Sequence, residues 1–411
     1  MPRDASPHAL LSAAAVRERA HAMLELGLAG RLSHFTVDLD RLASCADEVI
    51  ATTRAAYPDL DIPFHARWRH FAAGGFDRWG TLMQAAPWGE DGLAMGRAAY
   101  DLAIVSVLLD AGAGPDWRYQ EGRTGEAYAR SEGLAVASFD MFIGGAFSDD
   151  PADPYRADAA ALAALSGDDL AAGFQAGPGN PLVGLQGRAS LLNRLGQVVA
   201  GDPDTFGRGD APRPGGLFDV LAIEGVDGSL PAPRILEALL AHLGPIWPGR
   251  LVVDGVDLGD TWRHPLAPGE GATAGLVPFH KLSQWLAYSL IEPLEWVGIT
   301  VTDVDGLTGL PEYRNGGLLL DAGVIALKDP ADADRAHEVG SPLVVEWRAL
   351  TVALLDRLAA VVRERLGMDA ASLPLAKVLE GGTWATGRRL ARERRPGGAP
   401  PLQVISDGTV F

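Results

Sequence analysis

Cysteine is almost absent from this chain of 411 residues, since Cys45 is the only one. A single cysteine cannot form an internal disulfide, and no cysteine–histidine cluster has the spacing of a structural zinc site. Cys45 shares a helical stripe with Leu42, Ala46 and Val49, which predicts a buried thiol rather than a nucleophile. The fold must therefore be stabilised by its hydrophobic core.

Long apolar runs are absent as well. None approaches the roughly 18 residues that a membrane-spanning helix needs. The apolar stretch at 9–16 is short and is followed by Arg17-Glu18-Arg19, which does not match a secretory signal. Hydrophobic residues still make up 47% of the chain, as in ordinary globular proteins. We therefore expect a soluble cytoplasmic protein without a membrane partner.

Positive charge is scarce, because 35 Lys and Arg residues face 53 Asp and Glu residues and leave a net charge of −18. Such a charge repels polyanions, so a nucleic acid is not expected as a partner. Only three of the cations are lysines, Lys281, Lys328 and Lys377. A lysine at a candidate site would indicate a need for a compact ammonium rather than a planar guanidinium.

Several catalytic signatures are missing. The chain has no G-x-x-x-x-G-K-[ST] phosphate loop, no H-E-x-x-H metal motif and no G-x-S-x-G nucleophile motif. Gly269-x-Gly271-x-x-Ala274 has the glycine spacing of a dinucleotide loop, but Pro268 precedes it and no strand leads closely into it. These absences leave the common nucleotide-binding and hydrolase classes without support.

Helical periodicity dominates the patterns that are present. Ser341-Pro342 supplies an N-cap and a first-turn proline for a helix to about Leu366. The stretch 276–294 predicts another helix that ends at Pro293, and 303–317 predicts a long loop. The segment 251–258 predicts a β-hairpin with an Asp-Gly turn. We predict one mainly helical domain over 1–411, with a possible β-containing insertion at about 201–275.

The strongest candidate for chemistry is the predicted helix around 278–292. Lys281, Gln284, Tyr288 and Glu292 are spaced to share one helical face, whereas most other positions are apolar. This face either contacts solvent or lines a polar cleft, and its low charge favours the cleft. Lysine there could bind a phosphate or stand beside a carboxylate.

A second candidate is the predicted loop at 302–317, which carries acids, a tyrosine, an arginine and an asparagine among four glycines. Long structured loops are often functional. Asp303-x-Asp305 is compatible with a metal site but lacks the further ligands of a calcium loop. An ordinary surface loop is the alternative interpretation.

Three weaker candidates combine charge with aromatic residues. Glu346 and Arg348 lie in the first turns of the helix after Ser341, where a structural ion pair is the alternative. Arg69 and His70 in Arg67-Trp68-Arg69-His70, and Asp140 further on, suit a sugar or phosphate pocket, and packing explains them equally well. His65 and His70 have no partners at metal spacing, which leaves a site contact or a surface histidine.

These segments resemble the uracil-catabolism protein 4 family, also called the Urg3 family. The likeness covers nearly the whole chain and includes the Phe279 and Asp303 segments. Its other runs are 62–71, 108–117, 130–134, 244–250, 380–384 and 406–411. The family is associated with a route that uses uracil as a nitrogen source through a ribosylurea-type intermediate.

A more distant resemblance links the chain to the queuosine-salvage proteins, nucleotide N-ribohydrolases with a helical, DNA-glycosylase-like fold. Their ordered motifs read here as Phe279-x-Lys281-x-x-Gln284, Glu312-Tyr313-Arg314 and Val345-Glu346-Trp347-Arg348. Glu312 stands where that family has an aspartate assigned to the sugar, and Trp347 replaces an isoleucine. The resemblance implies a similar mainly helical fold here.

Together the two resemblances imply an N-glycoside hydrolase that splits the ribose C1–N bond of a ribosylurea or its 5-phosphate, without metal or organic cofactor. Glu312 and Lys281 are the predicted catalytic residues. The predicted substrate-binding residues are Tyr313, Arg314, Asn315, Gln284, Arg69, His70, Asp140, Glu346 and Arg348, the last two as supports of the Tyr313 segment. The alternatives are an amidohydrolase or deaminase of the opened pyrimidine, and a non-catalytic binding protein.

Overall fold

The computed structural model describes residues 6–89, 91–207, 210–225, 227–247 and 251–405. Helices account for most of these residues and the strands are short, which confirms the predicted mainly α class. The DNA-glycosylase-like arrangement stays a prediction. Of the runs that carry the Urg3 resemblance, 248–250 and 406–411 lie outside the described residues. No helix among the described residues combines the length and apolarity that crossing a bilayer would require.

The α-helices are distributed along most of the described residues. Their bounds are α1 Ala13–Leu28, α2 Leu42–Ala56, α3 Arg67–Phe71, α4 Arg78–Ala85, α5 Gly92–Leu108, α6 Arg130–Ile143, α7 Ala159–Ala164, α8 Gly167–Gly173, α9 Leu185–Gly201, α10 Pro203–Phe206, α11 Gly216–Glu224, α12 Ala232–Leu243, α13 Lys281–Trp296, α14 Tyr313–Asp321, α15 Pro342–Leu366, α16 Leu375–Val378 and α17 Trp384–Arg394.

Among the described residues, the strands form two-stranded pairs. Their bounds are β1 Phe35–Val37, β2 Tyr119–Gln120, β3 Ala127–Tyr128, β4 Ser229–Pro231, β5 Val252–Val253, β6 Val256–Asp257, β7 Thr261–Arg263, β8 Leu276–Pro278, β9 Thr300–Thr302, β10 Ile325–Leu327, β11 Ala336–Glu338 and β12 Gln403–Ile405. The pairs β1–β10, β2–β3, β5–β6 and β7–β8 are antiparallel, whereas β4–β9 and β11–β12 are parallel.

The chain divides into two compact units, each built from separate stretches. The first consists of Met1–His65, Gly249–Trp285 and Asp303–Phe411, and the second of Ala66–Pro248 and Leu286–Thr302. The division falls within α13, after Trp285. The stretch at about 201–275, predicted as a possible insertion, contributes α10–α12 and β4 to the second unit and β5–β7 to the first.

The core of the first unit surrounds α15, which packs against α1, α2 and α14. Its side chains Leu343, Trp347, Leu350 and Leu354 are at most 2% exposed. The Ser341 hydroxyl accepts a hydrogen bond from the Val344 amide at 3.4 Å, and the helix ends at Leu366. The predicted N-cap, first-turn proline and end of this helix are therefore confirmed.

The core of the second unit includes α5, whose residues from Ala98 to Leu108 are all buried. Buried charged side chains of this unit form ion pairs with one another, as Arg78 and Glu121 do. Arg78 donates to both oxygens of Glu121 at 2.8 and 2.6 Å, and both side chains are 0% exposed. Such pairs satisfy charges that would otherwise be costly to bury.

Two further predictions for the first unit are confirmed. The hairpin at 251–258 is confirmed, with Asp254 and Gly255 at φ values of 50° and 81° in the turn between β5 and β6. Both values lie in the left-handed region that this turn requires. Cys45 is buried as predicted, and burial raises the pKa of its thiol to about 12.

Three predictions of element bounds were wrong. Residues 276–278 form β8, because Leu276 and Val277 pair with β7 instead of opening the helix. Pro293 lies inside α13 rather than ending it, and the fully buried Leu294 continues the helix to Trp296. The predicted loop at 303–317 ends early, because Glu312 caps the new helix α14.

Candidate functional site

Glu312 occupies the N-cap of α14 with an extended backbone. One carboxylate oxygen accepts the Asn315 amide at 2.7 Å, and the other accepts the Arg314 amide. A negative charge is favoured at a helix N-terminus, where unpaired amides and the helix dipole point toward it. The carboxylate of Glu312 is thus fixed in position by backbone groups.

The pKa of Glu312 is raised, so this carboxyl holds its proton more tightly than an ordinary glutamate does. Burial raises the pKa of this carboxyl, and the two amide hydrogen bonds, together with the charges of Lys281 and His65, only partly oppose the rise. The residue as a whole nevertheless keeps some exposure to solvent. A carboxyl with a raised pKa is a candidate for a group that acts on a substrate.

The charge of Lys281 opposes the rise in the pKa of Glu312, so the two groups predicted as catalytic interact electrostatically, and this range of interaction within the first unit is called the Glu312 neighbourhood. Lys281 is the first residue of α13, and its backbone amide donates to Asp260 at 3.0 Å. Asp260 therefore fixes the start of the helix that carries the ammonium group.

Asp260 is held in turn by Arg348. The two terminal guanidinium nitrogens of Arg348 donate to the two carboxylate oxygens at 2.8 and 2.7 Å, and the guanidinium lies 4.1 Å from the centroid of the Phe279 ring. Burial alone would raise the pKa of Asp260, but the charge and hydrogen bonds of Arg348 hold it well below its usual range. This buried ion pair anchors the lysine.

Gln284 joins α13 to the segment that precedes Glu312. Its amide oxygen accepts the Thr308 amide at 2.8 Å, and its amide nitrogen donates to the Thr308 hydroxyl. The Gln284 side chain is fully buried. Gln284 therefore fixes the segment that leads to Glu312.

Tyr313, Arg314 and Asn315 form the first turn of α14. The Arg314 guanidinium lies 4.7 Å from the centroid of the Tyr313 ring and donates to the Gly398 carbonyl at 3.0 Å. The Asn315 side chain donates to the Leu310 carbonyl at 3.3 Å. These contacts stabilise the turn whose amides bind Glu312.

Glu346 holds a different segment of the first unit. Its carboxylate accepts the Ser33 and His34 amides at 3.0 and 2.9 Å, and it lies 3.3 Å from His264. Burial would raise the pKa of Glu346, but the hydrogen bonds from His264 and the two amides lower it. Glu346 and Arg348 thus fix the residues around Ser33 and around Asp260, respectively.

His65, which the sequence leaves open as a site contact or a surface histidine, forms a pair with a carboxylate of the first unit. Nδ1 of His65 lies 2.7 Å from Glu380, whose other oxygen accepts the Tyr57 hydroxyl at 3.4 Å. The charge of His65 also influences the pKa of Glu312, so the pair belongs to the same neighbourhood. In the sequence, the run at 380–384 indicates only the family resemblance, and no local pattern links Glu380 to His65.

The remaining predicted site residues lie in the second unit. Arg69 donates to Glu292 at 2.7 Å, and His70 follows it in α3. Asp140 lines an open cleft of about 550 Å³ and accepts the Tyr119 hydroxyl at 2.9 Å. Burial raises the pKa of Asp140 despite that hydrogen bond and the charge of Arg123.

Comparison with known proteins gives extensive matches. The family described as "Protein of unknown function (DUF1688)" matches residues 9–411. Protein urg3 of Schizosaccharomyces pombe is 40% identical over 411 residues, which cover 98% of each chain. Uracil catabolism protein 4 of Lachancea kluyveri is 38% identical over 413 residues, which cover 93% of each chain. The family resemblance drawn from the sequence is therefore confirmed.

Proposed function

Because the chain belongs to the DUF1688 family, we propose that it acts in uracil catabolism as an N-ribohydrolase. Its substrate is a ribosylurea or the 5-phosphate of one, and its products are urea and ribose or ribose 5-phosphate. The pathway assignment is supported by the name of one relative, uracil catabolism protein 4. The reaction class is supported by the order of three motifs that resemble those of the queuosine-salvage ribohydrolases, with Glu312 in place of an aspartate and Trp347 in place of an isoleucine.

One observation carries this proposal: Glu312, with its raised pKa, shares a neighbourhood with Lys281. Cleavage of an N-glycosidic bond passes through an oxocarbenium-like state with positive charge at ribose C1. A carboxylate whose charge is poorly solvated in the free protein gains most when positive charge develops beside it. Glu312 is therefore assigned the position next to C1, where it also orients the attacking water.

Lys281 supplies the fixed positive charge of the proposed site. Lysine binds a phosphate as a point charge, and it also stabilises a nearby carboxylate in the ionised form. If the substrate carries a 5-phosphate, the binding energy of that group helps to hold C1 against Glu312. Glu312 and Lys281 thus supply charge stabilisation and substrate binding, whereas protonation of the leaving nitrogen needs a further proton donor.

The test is incubation of the purified protein with synthetic ribosylurea and with its 5-phosphate. The proposal expects release of urea together with a reducing sugar in equal amounts, which an enzymatic urea assay and a sugar assay measure. Release of ammonia with the C1–N bond intact would instead identify an amidohydrolase or deaminase. Binding in calorimetry without any product would identify a ligand-binding protein.

A further inference from the structure

We propose that His65, oriented by Glu380, is the acid that protonates the nitrogen leaving ribose C1. This inference rests on the proposed N-ribohydrolase function. It starts from the 2.7 Å contact between Nδ1 of His65 and Glu380. A carboxylate at Nδ1 fixes the imidazole so that a proton can be carried at Nε2, an arrangement common in catalytic histidines.

Nε2 of His65 is available for a substrate. Within the part of the chain that the structure describes, the only hydrogen bond of the His65 ring is the one made by Nδ1. The side chain keeps 11% of its surface exposed, so the ring is packed but reachable.

The fold holds this pair in a defined position. The His65 backbone amide donates to the Ala376 carbonyl at 3.0 Å, which fixes the extended segment before α3. Glu380 lies in a π-helical turn, Leu379–Thr383, and such turns occur frequently at functional sites. Tyr57 contacts the second oxygen of Glu380. Each partner of the pair therefore has its own support.

Two glycines allow the π-helical turn to approach α2. A Cβ atom on Gly382 would lie 2.5 Å from both the Thr53 hydroxyl oxygen and a Val49 methyl carbon. A Cβ atom on Gly381 would lie 3.0 Å from Ile62. The close approach brings Glu380 to Tyr57, just beyond the end of α2, and to His65.

His65 and Glu312 then carry out the two proton transfers of the proposed reaction. Urea is a poor leaving group unless its nitrogen is protonated as the bond breaks. The C1–N electron pair goes to the urea nitrogen, which takes the proton from Nε2 of His65. Water adds to C1 and gives its proton to Glu312. Proton exchange with solvent restores the imidazolium and the carboxylate, so the net reaction consumes one water.

The experiment compares two leaving groups in His65→Gln and in the wild-type protein. One substrate is the ribosylurea, and the other is a 4-nitrophenyl riboside in the same phosphorylation state, whose phenolate leaves without protonation. We expect kcat/KM to fall by about 10²–10⁴-fold for ribosylurea, the scale of general acid catalysis. The fall for the nitrophenyl riboside is expected to be below about tenfold.

Glu380→Gln is the second variant, and it should show the same selectivity with a smaller loss. His242→Gln is the matched control, because His242 of the second unit also contacts a carboxylate, Asp202 at 3.3 Å. It should leave both rates unchanged. Melting temperatures measured for all variants separate a folding defect from a chemical one.

The outcomes distinguish this inference from the proposed function. If wild-type protein releases urea and His65→Gln slows both substrates equally or neither, His65 is not the acid and the hydrolase function stands. If wild-type protein releases no urea from ribosylurea, the proposed function fails and this role falls with it.

Discussion

Two carboxylates of the first unit each bind the start of a helix, yet their environments are opposite. Asp260 accepts the Lys281 amide of α13 and is bound by both terminal nitrogens of Arg348. Glu312 accepts two amides of α14 and has Lys281 and His65 as more distant charges. The pKa of Asp260 is lowered and that of Glu312 is raised.

The difference separates a structural carboxylate from a chemical one. A guanidinium that binds both oxygens leaves Asp260 no capacity for a substrate and keeps it permanently ionised. Backbone amides fix Glu312 without neutralising it, so its charge remains responsive to a charged ligand or transition state. Substitutions at Asp260, Glu312 and Lys281, and changes of pH, test this distinction.

Asp260→Asn should cause the largest loss of stability. It leaves the buried Arg348 guanidinium without its counter-charge, which typically costs about 3–5 kcal/mol. Denaturant unfolding followed by circular dichroism measures the free energy of unfolding. Asp254→Asn in the exposed β5–β6 turn is the control and should change it by less than about 0.5 kcal/mol. Equal losses in both variants would contradict a structural role for Asp260.

Glu312→Gln should lower activity strongly and change stability only slightly, which is the reverse of Asp260→Asn. Urea release should fall at least about a hundredfold, equivalent to about 2.7 kcal/mol of barrier, because the neutral amide cannot stabilise charge at C1. Its free energy of unfolding should change by about 1 kcal/mol or less, since burial already disfavours the charged form. Glu364→Gln, on the exposed side of α15, should preserve both quantities. Full turnover in Glu312→Gln would remove this residue from the mechanism.

Lys281→Met should raise KM by about tenfold, or about 1.4 kcal/mol, for a phosphorylated substrate and much less for the free riboside. The reason is that only the phosphate needs the ammonium charge. Lys281→Arg tests whether a planar guanidinium can replace it, and we expect it to restore binding only in part. Steady-state kinetics with both substrates measures the change in KM for each of them. Equal changes for both substrates would assign Lys281 to Glu312 instead of the phosphate.

The pH dependence of stability should differ in sign between the two carboxylates. A raised pKa means that native Glu312 binds its proton more tightly than the unfolded chain, so this group favours folding increasingly as pH falls toward its ordinary value of 4.5. A lowered pKa means that Asp260 stabilises the fold above its ordinary value of 3.8 and loses that contribution only at lower pH.

Unfolding curves at about pH 7 and about pH 5 measure the sign of this difference. The stability gap between wild-type protein and Asp260→Asn should stay constant over that range. The wild-type protein should gain stability relative to Glu312→Gln as the pH falls. Parallel behaviour of the two variants would show that the two environments are alike.

The sequence predicted well where neighbouring residues decide the structure. Ser341-Pro342 began α15 and Asp254-Gly255 turned the β5–β6 hairpin, because caps and turns depend on local backbone preferences. The family motifs also predict Glu312 and Lys281 as catalytic residues, and the charge of Lys281 acts on the pKa of Glu312, but their catalytic roles stay predictions.

The sequence predicted poorly where packing overrides local signals. The glycines at 316 and 317 indicated a loop, but both lie in α14, and a Cβ on Gly316 would meet Trp347 of α15 at 2.7 Å. Glycine there serves close helix packing rather than a turn. The strand at 276–278 similarly depends on its pairing with β7, a tertiary contact that periodicity does not reveal.

The mainly helical class and the family could thus be predicted from the sequence, whereas the catalytic roles of Glu312 and Lys281 stay predictions. Tertiary contacts determine which carboxylates are neutralised and which histidine acts electrostatically on Glu312. His65 and Glu380 are separated by 315 positions in the chain, and their contact depends on a π-helical turn that packs on α2. Residue type fixes what a side chain can do, whereas burial and partners fix its charge, and both arise from contacts distant in sequence.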